Sequence, residues 1–209
     1  MKRAGFYIDG FNFYHPVAKQ ASYKHKPHLK WMSYWDLAAL LINRGEEVSY
    51  VKIFTAPPTH IPPSLIRYRV VIKAWQAEGC QVIPGRFKEK FVYCAGCKVD
   101  NPHNEEKESD VNIALHMVED CMLGRCDVAY VLSSDGDIKP AFEMCMRHWP
   151  SIDLVTVPPP SNAPCRAIKD LGVRTATVTW PMVESCQMPL HVYDGQGYLA
   201  ATRPREYNP

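Results

Sequence analysis

The chain has 209 residues, 46% of them hydrophobic and 22% charged, a balance that suits one sizeable globular core with at most an appendage. A formal net charge of +2 supplies no global field toward nucleic acid or membrane, so any basic surface has to be local. No run approaches the roughly 18 apolar residues of a membrane span, and Asp9 interrupts the run after Met1-Lys2-Arg3 too soon for a secretory leader.

Residues 4–8 are an apolar run closed by Asp9-Gly10, the pattern of a buried strand with a carboxylate at its end. Residues 31–43 carry apolar side chains at helical spacing and stop at Arg44-Gly45. Residues 48–54 predict a strand, 65–77 a helix closed by Gly79, and 80–83 the next strand. Residues 86–93 read as strand material around a bend, part of an excursion from the main sheet at about residues 86–104. In residues 110–123, Val111, Ala114, Leu115, Val118, Cys121 and Met122 make one apolar stripe of a helix that Gly124 ends. Residues 127–132 predict a strand, 138–147 a helix and 152–157 a further strand. This alternation predicts a three-layer, Rossmann-like α/β fold, a mostly parallel sheet with helices on both faces. Residues 1–174 form that domain, and 175–209, where periodicity fades, are a C-terminal extension packed on the body or disordered.

Three acidic groups stand where an open α/β sheet holds its ligands, outside the carboxyl ends of the strands. Asp9 ends the first strand. Asp110 opens the long helix after Glu105-Glu106-Lys107-Glu108. Asp135 and Asp137 follow an apolar strand in Leu132-Ser133-Ser134-Asp135-Gly136-Asp137. Converging carboxylates repel unless a cation sits among them or some are protonated, and an all-oxygen set suits Mg²⁺ or Mn²⁺. Asp-Gly after a strand is also a common turn, and Asp or Ser at a helix start a common cap. Spacing alone leaves both readings open.

Taken in order, Ile8-Asp9-Gly10-Phe11-Asn12, Glu105-Glu106-Lys107-Glu108-Ser109-Asp110-Val111-Asn112 and Ser133-Ser134-Asp135-Gly136-Asp137 resemble the NYN domain family, the LabA-like branch of the PIN-like nucleases. Gly85-Arg86-Phe87-Lys88-Glu89-Lys90, followed by Cys94-Ala95-Gly96-Cys97, is similar to that branch as well. The resemblance runs over about residues 2–170, and the order of the motifs carries it. It implies a metal-dependent endoribonuclease, a hydrolase acting on RNA; a cytoplasmic setting is expected from the missing leader and the reduced cysteines, and a single-stranded substrate from basic residues interleaved with aromatics. Its catalytic set is Asp9, Asn12, Asp110, Asp135 and Asp137. The four aspartates would hold Mg²⁺ or Mn²⁺, and Asn12 would orient a carboxylate or the scissile phosphate. The family usually reads Ser-Gly-Asp-Ser-Asp in the third motif, whereas here Ser134 and Gly136 exchange the glycine and serine. That exchange motivates the alternative, a catalytically degenerate domain serving as an RNA-binding or protein-interaction module. PIN-like domains often pair, so a homodimer is expected by analogy.

Eight cysteines without a leader read as reduced thiols. Cys94 and Cys97 have the spacing of half a structural Zn²⁺ site, with His103 as a third ligand, or are unligated thiols. Lys88, Lys90 and Tyr93 combine charge and an aromatic ring, as a single-stranded nucleic-acid contact would, and equally as any half-buried strand does. His116 falls off the apolar stripe and reads as solvated. No G-x-G-x-x-G or Walker-type loop is present, so the sheet is not expected to hold a dinucleotide or ATP.

Overall fold

The computed structural model describes residues 1–94, 96 and 98–209, with Cys94 described by its backbone alone. The expected Cys94/Cys97 zinc half-site therefore lies outside the described residues.

The chain opens with β1 (Lys2–Asp9), buried from Ala4 onward, so both of its faces need cover. It turns directly into α1 (Gly10–Tyr23), a helix that the apolar pattern does not announce because aromatic residues, Asn12 and Pro16 fill it. Then follow α2 (Tyr34–Leu41), β2 (Glu46–Thr55), α3 (Pro62–Ala77) and β3 (Gln81–Pro84). The expected excursion is an antiparallel hairpin of β4 (Arg86–Cys94) and β5 (Val99–Lys107). After it come α4 (Ser109–Met122), β6 (Val128–Leu132), α5 (Lys139–His148), β7 (Asp153–Thr156), α6 (Arg166–Lys169) and β8 (Arg174–Thr175).

Among the described residues the main sheet has six parallel strands in the order β3-β2-β1-β6-β7-β8. With the hairpin set aside, this is the strand order of a Rossmann sheet, and it reverses between β1 and β6. Successive residues of β1 face opposite layers. Phe6 and Ile8 pack with Phe13, Leu37 and Val51 on one face. Tyr7 packs with Ile113, Met117 and Phe142 on the other. The three-layer, Rossmann-like expectation holds.

The expected stripe of α4 holds for Ala114, Val118 and Cys121, which pack on the core, but its outer half is out of phase. Ile113, Met117, Asp120 and Cys121 are buried, whereas Val111 and Leu115 are each 61% exposed and Met122 is 59% exposed. A charged residue lies on the core-facing side. Asp120 is fully buried and accepts from Lys52 Nζ at 2.5 Å, Tyr7 OH at 2.8 Å and an Arg125 guanidinium nitrogen at 2.9 Å. Burial pushes its carboxyl up, but these three donors outweigh that and hold it below the usual carboxylate range. His116, expected to be solvated, is half-buried with Nδ1 3.5 Å from Lys52 Nζ.

Past β8, Val178, Val183 and Cys186 join the first core. α7 (Trp180–Ser185) leads to a small hairpin of β9 (His191–Tyr193) and β10 (Leu199–Thr202). Met188, Val192, Ala201 and Tyr207 close over Trp31 and Val71, and Trp31 Nε1 donates to the Pro189 carbonyl at 2.8 Å. The extension is thus packed on the body. Among the described residues no helix is long and apolar enough to cross a membrane.

Candidate active site

The carboxyl ends of β1 and β6 lie side by side where the strand order reverses, the place at which open α/β sheets bind ligands. Asp9 ends β1 and caps α1, with its Oδ1 accepting from the Asn12 N–H at 2.9 Å. Gly10 is needed there because a Cβ would stand 2.8 Å from the Phe54 carbonyl oxygen and 2.9 Å from Thr55 Cβ. The cap and the candidate catalytic acid are therefore the same residue.

The loop after β6 is tied to this corner by three hydrogen bonds and braced by a fourth within itself. Ser133 Oγ donates to Asp9 Oδ2 at 3.0 Å and accepts from the Asp135 N–H at 3.0 Å. Asn12 Oδ1 accepts from both the N–H and the Oγ of Ser134, each at 3.1 Å. A backbone N–H can only donate, which assigns the Asn12 amide oxygen inward. Asp135 Oδ1 in turn accepts from the Asp137 N–H at 2.9 Å. Ser134 thus serves here as the clasp for Asn12. Gly136 has a physical reason as well: a Cβ on it would lie 3.3 Å from Cys165 Sγ, a tight fit for any serine.

The hairpin brings in the third wall. Gly85 lets its root close, since a Cβ there would stand 2.7 Å from the Lys107 carbonyl oxygen. Glu108, at φ 82° in the left-handed region, turns β5 into α4 and sets Ser109 and Asp110 in the first turn. Ser109 Oγ donates to Glu106 Oε1.

Asp9, Asp110, Asp135 and Asp137 thus share one corner, with Glu106 as a fifth acid. Asp9 is pushed up to about 6, first by burial and then by the charges of Glu106 and Asp135, against the hydrogen bonds from Asn12 and Ser133. Asp110 is also pushed up to about 6, by burial and by Asp9, Asp135, Glu106 and Asp137. Among the described residues none of these five acids forms an ion pair with Lys or Arg. Nor are three or more His, Cys, Asp or Glu side chains gathered there into a ready metal cage. Asp135 is half-buried, with Oδ1 held by the Asp137 N–H, and Asp137 is exposed.

Glu106 is the member that motif spacing did not single out from its acidic run. Strand parity separates it. Glu105 faces Lys90 and Lys107, with Oε2 2.8 and 3.0 Å from their ammonium nitrogens, whereas Glu106 points to the opposite face and the site. Of the expected nucleic-acid contacts, Lys88, Lys90 and Tyr93 all lie on β4.

No protein-family model matches the chain. It is 27% identical over 175 residues to the 6-hydroxy-3-succinoylpyridine 3-monooxygenase HspA of Pseudomonas putida, in a match covering 70% of this chain and 56% of that protein. The chain thus spans little more than half the length of that relative. The crystal structure of a Vibrio parahaemolyticus protein of unknown function is similar with a TM-score of 0.55 at 14% identity, over 86% of this chain and 93% of that one. The second likeness shows the fold alone.

Proposed function

We propose that this chain is a cytoplasmic, metal-dependent endoribonuclease of the NYN type, cutting single-stranded RNA at the corner formed by Asp9, Asp110, Asp135 and Asp137. One observation carries the reading. Acids from two strand ends, the hairpin and a helix start converge without a basic partner among the described residues, and burial, with their mutual charge adding to it, raises Asp9 and Asp110. A structural cap or turn has no use for that repulsion, whereas a bound divalent cation would relieve it.

The residues fit such a cation by their chemistry. All the donors are hard carboxylate oxygens, the kind Mg²⁺ and Mn²⁺ prefer. Each Asp9 oxygen accepts one hydrogen bond, from Asn12 or from Ser133, which orients the carboxylate and leaves each oxygen a further lone pair. When bound, the cation would supply charge neutralisation and the acidification of water that hydrolysis at neutral pH requires. The chain's own residues do the positioning. Asn12, its oxygen engaged by Ser134, keeps its NH₂ group without a partner among the described residues and available to a phosphate oxygen. Ser133 holds the Asp9 end of β1 and the Asp135 loop in one register. The test is cutting of labelled single-stranded RNA that needs Mn²⁺ or Mg²⁺ and stops in chelator.

The likeness to the Pseudomonas putida enzyme favours a second reading, an oxygenase domain. Oxygen uptake with 6-hydroxy-3-succinoylpyridine and a reductant, without RNA cutting, would establish it in place of the first.

A further inference from the structure

The β4–β5 hairpin divides its side chains by chemistry. Register and alternation put Phe87, Glu89, Phe91 and Tyr93 on one face. Arg86, Lys88 and Lys90 share the other face with Lys107. Phe87 lies directly across from Glu106, so the aromatic face begins at the carboxylate corner. From Phe87 the rings continue over the body. Its centroid is 4.6 Å from that of His60 and 5.5 Å from that of Phe11, and Phe11 is 5.9 Å from His15. His60 and His15 are exposed, and Phe11 and Phe87 half-buried. Outward along the strand Phe91 is 67% and Tyr93 61% exposed.

A core does not leave such rings uncovered, and single surface aromatics do not line up from an acidic corner outward. Half-open π faces at alternate strand positions are what the bases of a single strand stack on, although the row of cations lies on the reverse of the ribbon and Glu89 stands among the rings. Lys90 and Lys107 are shared with Glu105, and Arg86 Nε lies 2.6 Å from Glu108 Oε1, whereas Lys88 is exposed without an ion pair among the described residues. A duplex would keep its bases stacked on each other and gain nothing from the rings.

We propose that the rings of Phe11, His60, Phe87, Phe91 and Tyr93 form a base-stacking track that guides unpaired RNA into the carboxylate corner and makes the chain selective for single strands. The proposal rests on the reading of the corner as one that acts on RNA. The track is independent of metal, so it can be tested apart from cutting.

The experiment is fluorescence anisotropy with a fluorescein-labelled oligouridylate and with a labelled RNA duplex, in the Asp135→Asn background with Mg²⁺ present. Phe87→Ala is expected to weaken oligouridylate binding by at least about fivefold, with Phe87→Trp retaining it and duplex binding changing little. The double variant Phe91→Ala/Tyr93→Ala, at exposed positions that the fold does not need, should weaken it similarly. The proposal is overturned if all variants bind within about twofold of their parent, or if single strand and duplex are lost equally. Absence of oligouridylate binding by the folded parent also overturns it, as does a change in oligomeric state in place of RNA affinity. Metal-dependent cutting without these effects removes the track and leaves the ribonuclease. Ring-dependent binding by a wild-type chain that never cuts does the reverse.

Discussion

Ser133 Oγ donates to Asp9 Oδ2 across 3.0 Å and so ties the end of β1 to the end of β6 at the point where the strand order reverses. The same hydroxyl accepts from the Asp135 N–H, so one atom positions two of the candidate acids. Asp9 is buried, and a lost donor cannot be replaced freely by water. Ser133→Ala should therefore lower unfolding stability by about 1–3 kcal/mol in urea titrations, and should reduce metal-dependent cutting as well. A change below about 0.5 kcal/mol would show that the hydroxyl is not holding this corner together.

Lys52 and Asp120 form the buried charge pair between β2 and α4, with side chains 6% and 0% exposed. Lys52→Met leaves Asp120 with Tyr7 and Arg125 as donors and no buried counter-charge. The expected cost is about 3–5 kcal/mol. The double variant Lys52→Met/Asp120→Leu should recover a large part of it, because an apolar pair of similar volume does not have to be desolvated. Equal losses in the single and double variants would contradict this account of α4.

Glu78 carries the clearest pH signature away from the site. One of its carboxylate oxygens is buried without a partner among the described residues, and the group is pushed up to about 7, mainly by burial, with Asp36 adding to it and Ser33 opposing. Its folded-state value lies above the ordinary 4.5, so the folded state binds the proton more tightly. That contribution is fully present below about 4.5 and is lost as the pH rises through about 7. Glu78→Gln should match the wild type at pH 4 and exceed it at pH 8 by on the order of 1–2 kcal/mol, a figure discounted for the group's partial exposure. Chemical denaturation at the two pH values checks this, and a pH-independent difference would contradict it.

Much of the fold could be read from residues alone, because β1 and β6 carry near-continuous apolar runs, β2 is β-branched and aromatic from Val48 to Phe54, and each ends in a recognisable stop. Asp9 and Asp135 were readable as partners for the same reason, since both follow such a run. The phase of α4 was not. Asp120 occupies the core-facing side by virtue of Lys52, which is distant in sequence, while Val111 and Leu115 face outward. α1 was hidden by weak helix formers, and its first turn is set by a cap that also belongs to the site. Glu106 could have been separated from Glu105 by strand parity, but only with β5 already assigned. The phase of α4 escaped because a tertiary partner decided it, whereas α1 and Glu106 escaped because their local pattern was weak or needed β5 assigned first.

The carboxylate corner is tested most directly by cutting of a labelled single-stranded RNA, wild type beside Asp135→Asn, with Mn²⁺, Mg²⁺ or chelator. An asparagine at this position still accepts the Asp137 N–H through its amide oxygen, so the loop keeps its fold while losing a charge. The account predicts cutting by wild type with either metal, none in chelator, and a rate at least about tenfold lower in the variant. Cutting that persists in chelator or survives in Asp135→Asn, or none by the folded wild type across several RNAs, would contradict it.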